Sequence, residues 1–169
     1  MENAEEKKAT RKPDINIRFI FNMCNDVQSM RHFYTDLIGL KQGSFRNEKK
    51  WGWLVYKSEG FEMMFFRADK KLPVLEEWTV QPGYEGGTLE MTSWGIHIPE
   101  EMFAGVVDRL NSADVRTFKD KPEWRQDSYW GFSVMDPMGN TVELYTQPKE
   151  KPASTEWPGT QPSPTAAGK

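Results

Sequence analysis

Three side chains in this sequence have the chemistry to hold a divalent metal ion or to move a proton. Glu62, His97 and Glu143 each lie in a strand-like segment, and carboxylates and imidazoles are common metal ligands, although strand carboxylates are more often solvated. If Glu62 and Glu143 lie close together in a dry pocket, burial and like charge favour protonation of one of them. Glu143 is therefore the candidate catalytic acid or base.

Aromatic rings form a second kind of candidate site. The chain has 7 Trp and 10 Phe residues, and six of these rings fall in strand-like segments as Phe19, Phe21, Trp51, Trp53, Trp130 and Phe132. Such rings bind flat, apolar or cationic guests, with about 0.5 to 2 kcal/mol for each stacking or cation–π contact. Alternating strand aromatics are equally often ordinary core, so the set predicts a pocket better than any one ring does.

Two loops are candidate lids over such a pocket. One runs from Leu72 to Gly87 and carries Trp78 and Tyr84, and the other runs from Lys121 to Ser128 and carries Arg125. A guanidinium can orient an anionic group by paired hydrogen bonds, although a loop arginine is more often solvated. Arg125 is therefore a candidate ligand contact.

A diverged internal repeat predicts how these residues are arranged. Trp51-Gly52-Trp53-Leu54-Val55 recurs as Trp130-Gly131-Phe132-Ser133-Val134, and each copy runs through a turn into another strand-like segment. A strand-rich unit cannot bury both of its faces alone, so two copies are expected to pack together around a cleft.

Periodicity predicts the same element order in both halves. In the first half, an apolar strand at 15–24 precedes a helix that is capped by Asn25-Asp26 and closed by Gly39, and strands follow at 40–46, 51–57 and 61–67. In the second half, a strand at 89–98 precedes a helix with Pro99 at its start, and strands follow at 114–119, 129–135 and 141–147. Asp136-Pro137-Met138-Gly139 is typical of a type I turn. Each half is β-α-β-β-β.

The ends of the chain differ from the body in composition. The folded body is predicted over 14–147, with module one at 14–67, a linker at 68–88 and module two at 89–147. The charged segment 1–13 and the Pro/Ser/Thr-rich segment 148–169 are predicted to be disordered tails. Trp157 in the second tail is expected to be exposed, the alternative being a tail that docks back onto the body.

Charge and cysteine content exclude several classes of partner. The 169 residues include 22 basic and 25 acidic side chains, with a formal charge of -3 and no basic stripe in the body, so nucleic acid is not an expected partner. Cys24 is the single cysteine, which fits a reducing compartment, and no apolar run is long enough to span a bilayer. The start of the chain is too charged for a signal peptide. We expect a cytoplasmic protein without a membrane partner.

The chain resembles the vicinal oxygen chelate superfamily, which contains glyoxalase I, extradiol dioxygenases, fosfomycin-resistance transferases and bleomycin-binding proteins. The resemblance is carried by Asp26 followed by Phe33-Tyr34-Thr35-Asp36-Leu37-Ile38-Gly39-Leu40, and by Asp136-Pro137-Met138-Gly139-Asn140-Thr141-Val142-Glu143-Leu144. It implies an α+β fold in which two tandem βαβββ modules form a barrel-like cleft, often with dimerisation. It does not imply one activity, because fold and chemistry separate easily.

Enzymes of this superfamily usually hold a divalent metal with side chains from the first and last strands of each module. The resemblance places these positions at Phe19, Met64 (Glu62 in a shifted alignment), Ser93 or Gly95, and Glu143. Only Glu143 among the preferred positions has a ligand side chain, whereas a catalytic divalent site normally needs about three. No cofactor is therefore favoured, and a rearranged metal site of Glu62, His97 and Glu143 stays open.

The sequence thus predicts a protein that sequesters a small aromatic or hydrophobic molecule without a metal, similar to the bleomycin-binding branch. The predicted ligand contacts are Phe19, Phe21, Trp51, Trp53, Met64, His97, Arg125, Trp130, Phe132 and Glu143. The alternatives are a glyoxalase-like lyase, transferase or dioxygenase with a metal, a metal-free acid/base enzyme using Glu143, and a protein-interaction module. A homodimer is expected, and the modules can pair within one chain or across two.

Overall fold

Module one has the predicted order of elements. The computed structural model describes residues 17–81 and 86–159. Module one consists of strand β1 (Phe19–Cys24), helix α1 (Val27–Arg31) with a following π-helix (His32–Ile38), and strands β2 (Gln42–Asn47), β3 (Gly52–Ser58) and β4 (Phe61–Arg67). The Asp26 carboxylate caps the helix by accepting hydrogen bonds from the Gln28 and Ser29 backbone. Gly39, with φ of 96°, ends it in the left-handed conformation that glycine favours.

Module two repeats this order. It consists of strand β5 (Trp94–His97), helix α2 (Glu100–Ser112), and strands β6 (Glu123–Arg125), β7 (Tyr129–Met135) and β8 (Thr141–Thr146). The predicted turn between the last two strands is confirmed, because the Gly139 N–H donates to the Asp136 carbonyl at 2.8 Å. The Asp136 carboxylate also accepts hydrogen bonds from the Met138 and Asn140 backbone, which fixes the turn.

Each module forms one four-stranded sheet. The strand orders are β1-β4-β3-β2 and β5-β8-β7-β6. The first strand of each module is parallel to the last, and the remaining pairs are antiparallel. The two sheets therefore have the same topology, as the repeat predicts.

The two modules share one hydrophobic core on the helix-bearing sides of their sheets. Phe65 of module one lies near Trp94 of module two, with ring centroids 6.5 Å apart. Phe65 belongs to a buried cluster that extends across α1 and α2, and Trp94 packs against this cluster. The buried Tyr34 hydroxyl donates to Asp136 across the module boundary at 2.9 Å. The opposite faces of the sheets consequently point away from this core.

Several predicted strands differ from the observed ones. The expected strand at 89–98 is reduced to β5, and the expected strand at 114–119 is reduced to one bridge between Thr117 and Val134. Strand β6 lies instead inside the segment predicted to be a lid, Lys121 to Ser128, where Trp124 packs against the Trp130 ring at 5.3 Å. The lid prediction is wrong for this segment, because β6 is hydrogen bonded to β7.

Trp157 corrects the expectation of an exposed ring. It lies 5.5 Å from Phe103 of α2 and 5.0 Å from Trp130 of β7, between centroids, so residues up to 159 return onto module two. The rest of the predicted C-terminal tail and the predicted N-terminal tail, 1–13, lie outside the described residues. In the described part of the chain, no helix is long and apolar enough to cross a membrane.

Candidate functional site

Each sheet has an open face, by which we mean the face turned away from the shared core. Side chains alternate along a strand, so the strand pairing assigns the residues of this face. Paired rows on it are Phe21–Met64–Val55 and Met23–Phe66–Trp53 in module one, and Gly95–Glu143–Ser133 in module two. The predicted residues Phe19, Phe21, Trp53, Met64 and Glu143 therefore all lie on open faces.

The open face of module one is an exposed aromatic surface. Phe19 is 52% exposed, Phe21 is 60% exposed and Trp53 is 38% exposed. Phe66 makes edge-to-face contacts with Phe21 at 6.1 Å and with Trp53 at 6.4 Å. Trp51, just before β3, packs edge-to-face on Trp53. This face offers contiguous rings to a partner or ligand.

The open face of module two carries a buried ion pair. Arg125 Nη1 donates to Glu143 Oε2 at 2.7 Å and to Ser133 Oγ at 3.2 Å. Arg125 is only 3% exposed and Glu143 only 8% exposed. Removing Arg125 would leave the buried Glu143 carboxylate without a compensating charge, which is strongly destabilising. Arg125 is thus neither solvated nor part of a mobile loop.

Gly131 makes room for this ion pair. It lies on the open face between Arg125 and Glu143, and a Cβ at this position would lie 2.6 Å from Glu143 Oε1 and 2.8 Å from Arg125 Cδ. Both distances are shorter than van der Waals contact allows, so any larger side chain would displace the pair. The glycine of the repeat therefore has a packing role here.

The linker covers part of the open face of module two. The Thr79 N–H donates to Thr141 Oγ1 at 2.8 Å, and Gln81 Oε1 lies 3.4 Å from Ser133 Oγ. Thr79 and Gln81 are both buried. Module one has no comparable cover among the described residues, since its rings stay exposed.

A cavity of about 360 Å³ remains beside Glu143 on this face. Its described lining consists of Gln81, Ser93, Trp94, Gly95, Gln126, Tyr129, Glu143, Tyr145 and Gln147. Burial, and secondly the negative charge of Glu143, raises the pKa of the Tyr129 phenol, which places the phenol and the carboxylate in one electrostatic environment. The cavity lies within the size range of small-molecule sites.

Two predicted cleft rings belong to the core instead. Trp130 and Phe132 are 4% and 1% exposed and lie in the shared core. The β3–β4 hairpin pairs Ser58 with Phe61, whereas the β7–β8 hairpin pairs Met135 with Thr141 and is longer. The similar sequence segments are therefore offset by one residue in their sheets, and a one-residue shift moves every side chain to the opposite face.

The rearranged metal triad is not assembled in one chain. Glu62 pairs with Lys57 at 3.0 Å, and Glu143 pairs with Arg125. His97 is exposed and packs edge-to-face on Tyr145. No group of three or more His, Cys, Asp or Glu side chains that could hold a metal ion occurs within residues 17–81 and 86–159.

The residues at the superfamily's usual metal positions also do not fit such an ion. The Phe19 ring has no lone pair to donate, and Met64 offers only a thioether, which suits soft metals. Gly95, paired with Glu143 in the sheet, has no side chain, and the alternative position, Ser93, offers only a neutral hydroxyl. The donor set is thus one carboxylate that already binds a guanidinium.

The first candidate lid is anchored over the part that the structure describes. Leu72 exchanges two hydrogen bonds with the Asn25 side chain, and the Leu75 N–H donates to Met138. Trp78 packs on Phe118. Tyr84, named with this loop, lies outside the described residues.

Sequence reasoning missed several residues of the cavity. Tyr129 precedes Trp130, so strand alternation would have placed it on the open face once the offset of β7 was known. No local sequence pattern predicts Gln81, Gln126 or Gln147, because these residues lie outside the strands and reach the cavity only through the tertiary fold.

Known structures of the same fold are similar to this chain. A glyoxalase/dioxygenase from Nostoc punctiforme shares 17% identity at a TM-score of 0.58, over 79% of this chain and 92% of that one. A glyoxylase/bleomycin resistance protein/dioxygenase domain from a Frankia species shares 11% identity at 0.56, over 81% and 95%. Lactoylglutathione lyase from Agrobacterium tumefaciens shares 14% identity at 0.52, over 80% and 96%.

These similarities establish the fold. The chain has the α+β fold of the glyoxalase, bleomycin resistance and dioxygenase proteins, with two tandem βαβββ modules, as its resemblance to the vicinal oxygen chelate superfamily predicts. No protein-family model matches the chain, and no curated protein matches it in sequence.

Proposed function

We propose that the protein binds a small organic molecule on the open face of module two, without a divalent metal at Glu143. The observation that supports this proposal is the buried ion pair between Arg125 and Glu143, 2.7 Å long. A metal ion would have to displace the guanidinium from the Glu143 carboxylate and would place a second cation next to the buried Arg125. Breaking a buried pair costs about 3 to 5 kcal/mol, which opposes such a replacement.

The rings of module one favour an aromatic or hydrophobic ligand. Phe19, Phe21 and Trp53 are exposed next to one another on a single sheet face. Edge-to-face and stacked contacts with such rings contribute about 0.5 to 1.5 kcal/mol each beyond the burial of area. However, none of these rings lines the cavity beside Glu143. A partner surface is needed to bring the two halves of the site together.

The proposal therefore includes a homodimer in which module one of each copy lies against module two of the other. Both open faces of one chain point away from its shared core, so neither can close over the other. Exposed contiguous rings of this kind mark interaction surfaces. A twofold dimer would cover both surfaces twice and place rings over both cavities.

Sedimentation analysis of Phe21→Glu tests the dimer. In the proposed dimer, a carboxylate at this position would be buried among aromatic rings, which is unfavourable. We therefore expect a dimeric wild type and a monomeric variant. Met102→Glu is the matched control, since Met102 is similarly exposed but lies on α2. A monomeric wild type, or a dimeric Phe21→Glu, would contradict this part of the proposal.

Calorimetry with a panel of flat aromatic compounds tests ligand binding. Saturable binding of one molecule per chain is expected for some of them, and Trp53→Ala should weaken it because a ring contact is lost. Met102→Ala is expected to bind like the wild type. The proposal fails if no compound binds or if Trp53→Ala leaves every affinity unchanged.

A further inference from the structure

The cavity beside Glu143 lies next to an unequal set of charges. Arg125 donates to Glu143 at 2.7 Å and to Glu123 at 2.9 Å, so two carboxylates share one guanidinium. Among the described residues of this group, two negative charges and one positive charge leave one net negative charge. Glu123 is partly exposed on β6, whereas Glu143 borders the cavity itself.

The described lining of this cavity offers acceptors and rings. Glu143 is the one charged side chain in it, and three glutamine amides provide carbonyl oxygens: Gln81, Gln126 and Gln147. Tyr129, Tyr145 and Trp94 add aromatic rings, whose faces attract cations. A ligand carboxylate or phosphate would meet the net negative charge without a cationic side chain in this lining.

Arg125 also holds the Glu143 carboxylate in a fixed position. The guanidinium is buried and donates to Ser133 as well as to Glu143. The ion pair fills the space that a side chain at Gly131 would occupy. A fixed charge needs little reorganisation when a ligand of opposite charge arrives, which makes its field more effective than that of a mobile side chain.

We propose that this cavity binds a small organic cation, a protonated amine or a quaternary ammonium group, beside Glu143. The inference rests on the proposed function and adds the charge class of the ligand. The cation would lie between the carboxylate and the tyrosine rings, while an attached apolar body would extend toward the mouth of the cavity. Its volume of about 360 Å³ accommodates a head group with a small ring.

Four compounds with the same ring test this inference on the full-length protein. Benzylamine, benzyltrimethylammonium, benzyl alcohol and benzoate differ chiefly in the charge of one group, and calorimetry or ligand-observed NMR gives their affinities. We expect the two cations to bind about tenfold more tightly than the alcohol, through cation–π and charge contacts, and benzoate not to bind. Added salt should weaken only the cations.

Charge variants assign the effect to the proposed group. Glu123→Gln removes the surplus charge from a partly exposed position and should weaken the cations severalfold without unfolding the protein. Glu143→Gln should weaken them further, with circular dichroism as the check on folding. Glu59→Gln, in the exposed β3–β4 turn, is the matched control and should bind like the wild type.

The outcomes separate the inference from the proposed function. If the alcohol or benzoate binds as tightly as the amines, a small-molecule site stands and the cation inference is overturned. If the cations bind equally to Glu123→Gln, Glu143→Gln and wild type, the site is elsewhere and the inference also fails. Binding of none of the four at millimolar concentration overturns the inference, while the aromatic panel decides the proposed function separately.

Discussion

The two modules of this protein share one backbone plan but have opposite surfaces on their open faces. Module one presents exposed rings, among them Phe21 and Trp53. Module two presents the buried Arg125–Glu143 pair and a cavity, partly covered by the linker at Gln81. The same topology thus carries an apolar surface in one half and a charged, partly covered surface in the other. Two modules with the same order of strands can therefore carry different chemistry.

Part of the difference follows from an offset of one residue between β3 and β7. Trp53 of β3 lies on an open face, whereas Phe132, its counterpart in the sequence repeat, is buried in the core. The offset also turns Gly131 toward the open face, where the missing side chain leaves room for Arg125 and Glu143. The longer second hairpin thus places Phe132 in the core and Gly131 beside the ion pair.

Of the substitutions that test the difference between the two open faces, the replacement of Arg125 should have the largest effect. Arg125→Ala leaves the buried Glu143 carboxylate without its guanidinium, and we expect a loss of about 3 to 5 kcal/mol in the free energy of unfolding, measured in urea. Lys70→Ala is the matched control, because Lys70 is an exposed cationic side chain in the linker, away from both open faces. It should change stability by less than about 0.5 kcal/mol. Equal effects of the two variants would mean that Arg125 does not hold a buried ion pair.

Filling the space at Gly131 should have an intermediate effect. Gly131→Ala places a methyl group within 2.6 Å of the Glu143 carboxylate oxygen and forces the ion pair to move. We expect a loss of about 1 to 3 kcal/mol, from thermal or urea unfolding. Gly105→Ala in α2 meets only Arg109 Nη1 at 3.7 Å and should be neutral or stabilising by up to about 1 kcal/mol. A neutral Gly131→Ala would contradict the packing argument.

A smaller effect is expected from pH at the junction of the modules. Burial raises the pKa of Asp136, which accepts a hydrogen bond from Tyr34. The native state therefore binds a proton on Asp136 more tightly than the unfolded chain does, since unfolded aspartates have a pKa of about 3.9. The stability that this group contributes is present below that value and is lost as pH rises through its native pKa.

Asp136→Asn isolates this contribution. The free energy of unfolding of the wild type relative to Asp136→Asn should fall as pH rises above about 4, as followed by urea titrations at several pH values. A difference that stays constant or grows with pH would show that Asp136 is not the buried, proton-binding group described here.

Much of the fold could be predicted because its signals are local. Asp26 caps a helix and Gly39 ends it, and Asp136 organises a turn, each through contacts within a few residues along the chain. Alternating and helical periodicity then gives the order β-α-β-β-β twice. The prediction of a strand at 114–119 is wrong, because β6, a segment of three residues, pairs with β7 instead. Trp124, packed against the core, stabilises this pairing.

The site could be predicted only in part, since its geometry depends on distant contacts. Glu143 and the strand rings of module one lie on the open faces of their sheets, as strand alternation predicts. Trp130 and Phe132 were placed on the wrong face because an ungapped alignment hides the longer second hairpin. The Arg125–Glu143 pair joins two strands, and the linker covers it. Both contacts are between residues distant along the chain, so no local sequence pattern predicts them.

Metal affinity tests most directly the claim that Glu143 is held by Arg125. Dialysed protein and Glu143→Ala are titrated by calorimetry with manganese, iron(II), nickel and zinc, after elemental analysis of the purified chain. Since one carboxylate that is already paired cannot supply the roughly three ligands of a catalytic site, we predict no saturable binding at micromolar concentration in either protein. Near-stoichiometric metal that is lost in Glu143→Ala would contradict this prediction and would establish Glu143 as a metal ligand.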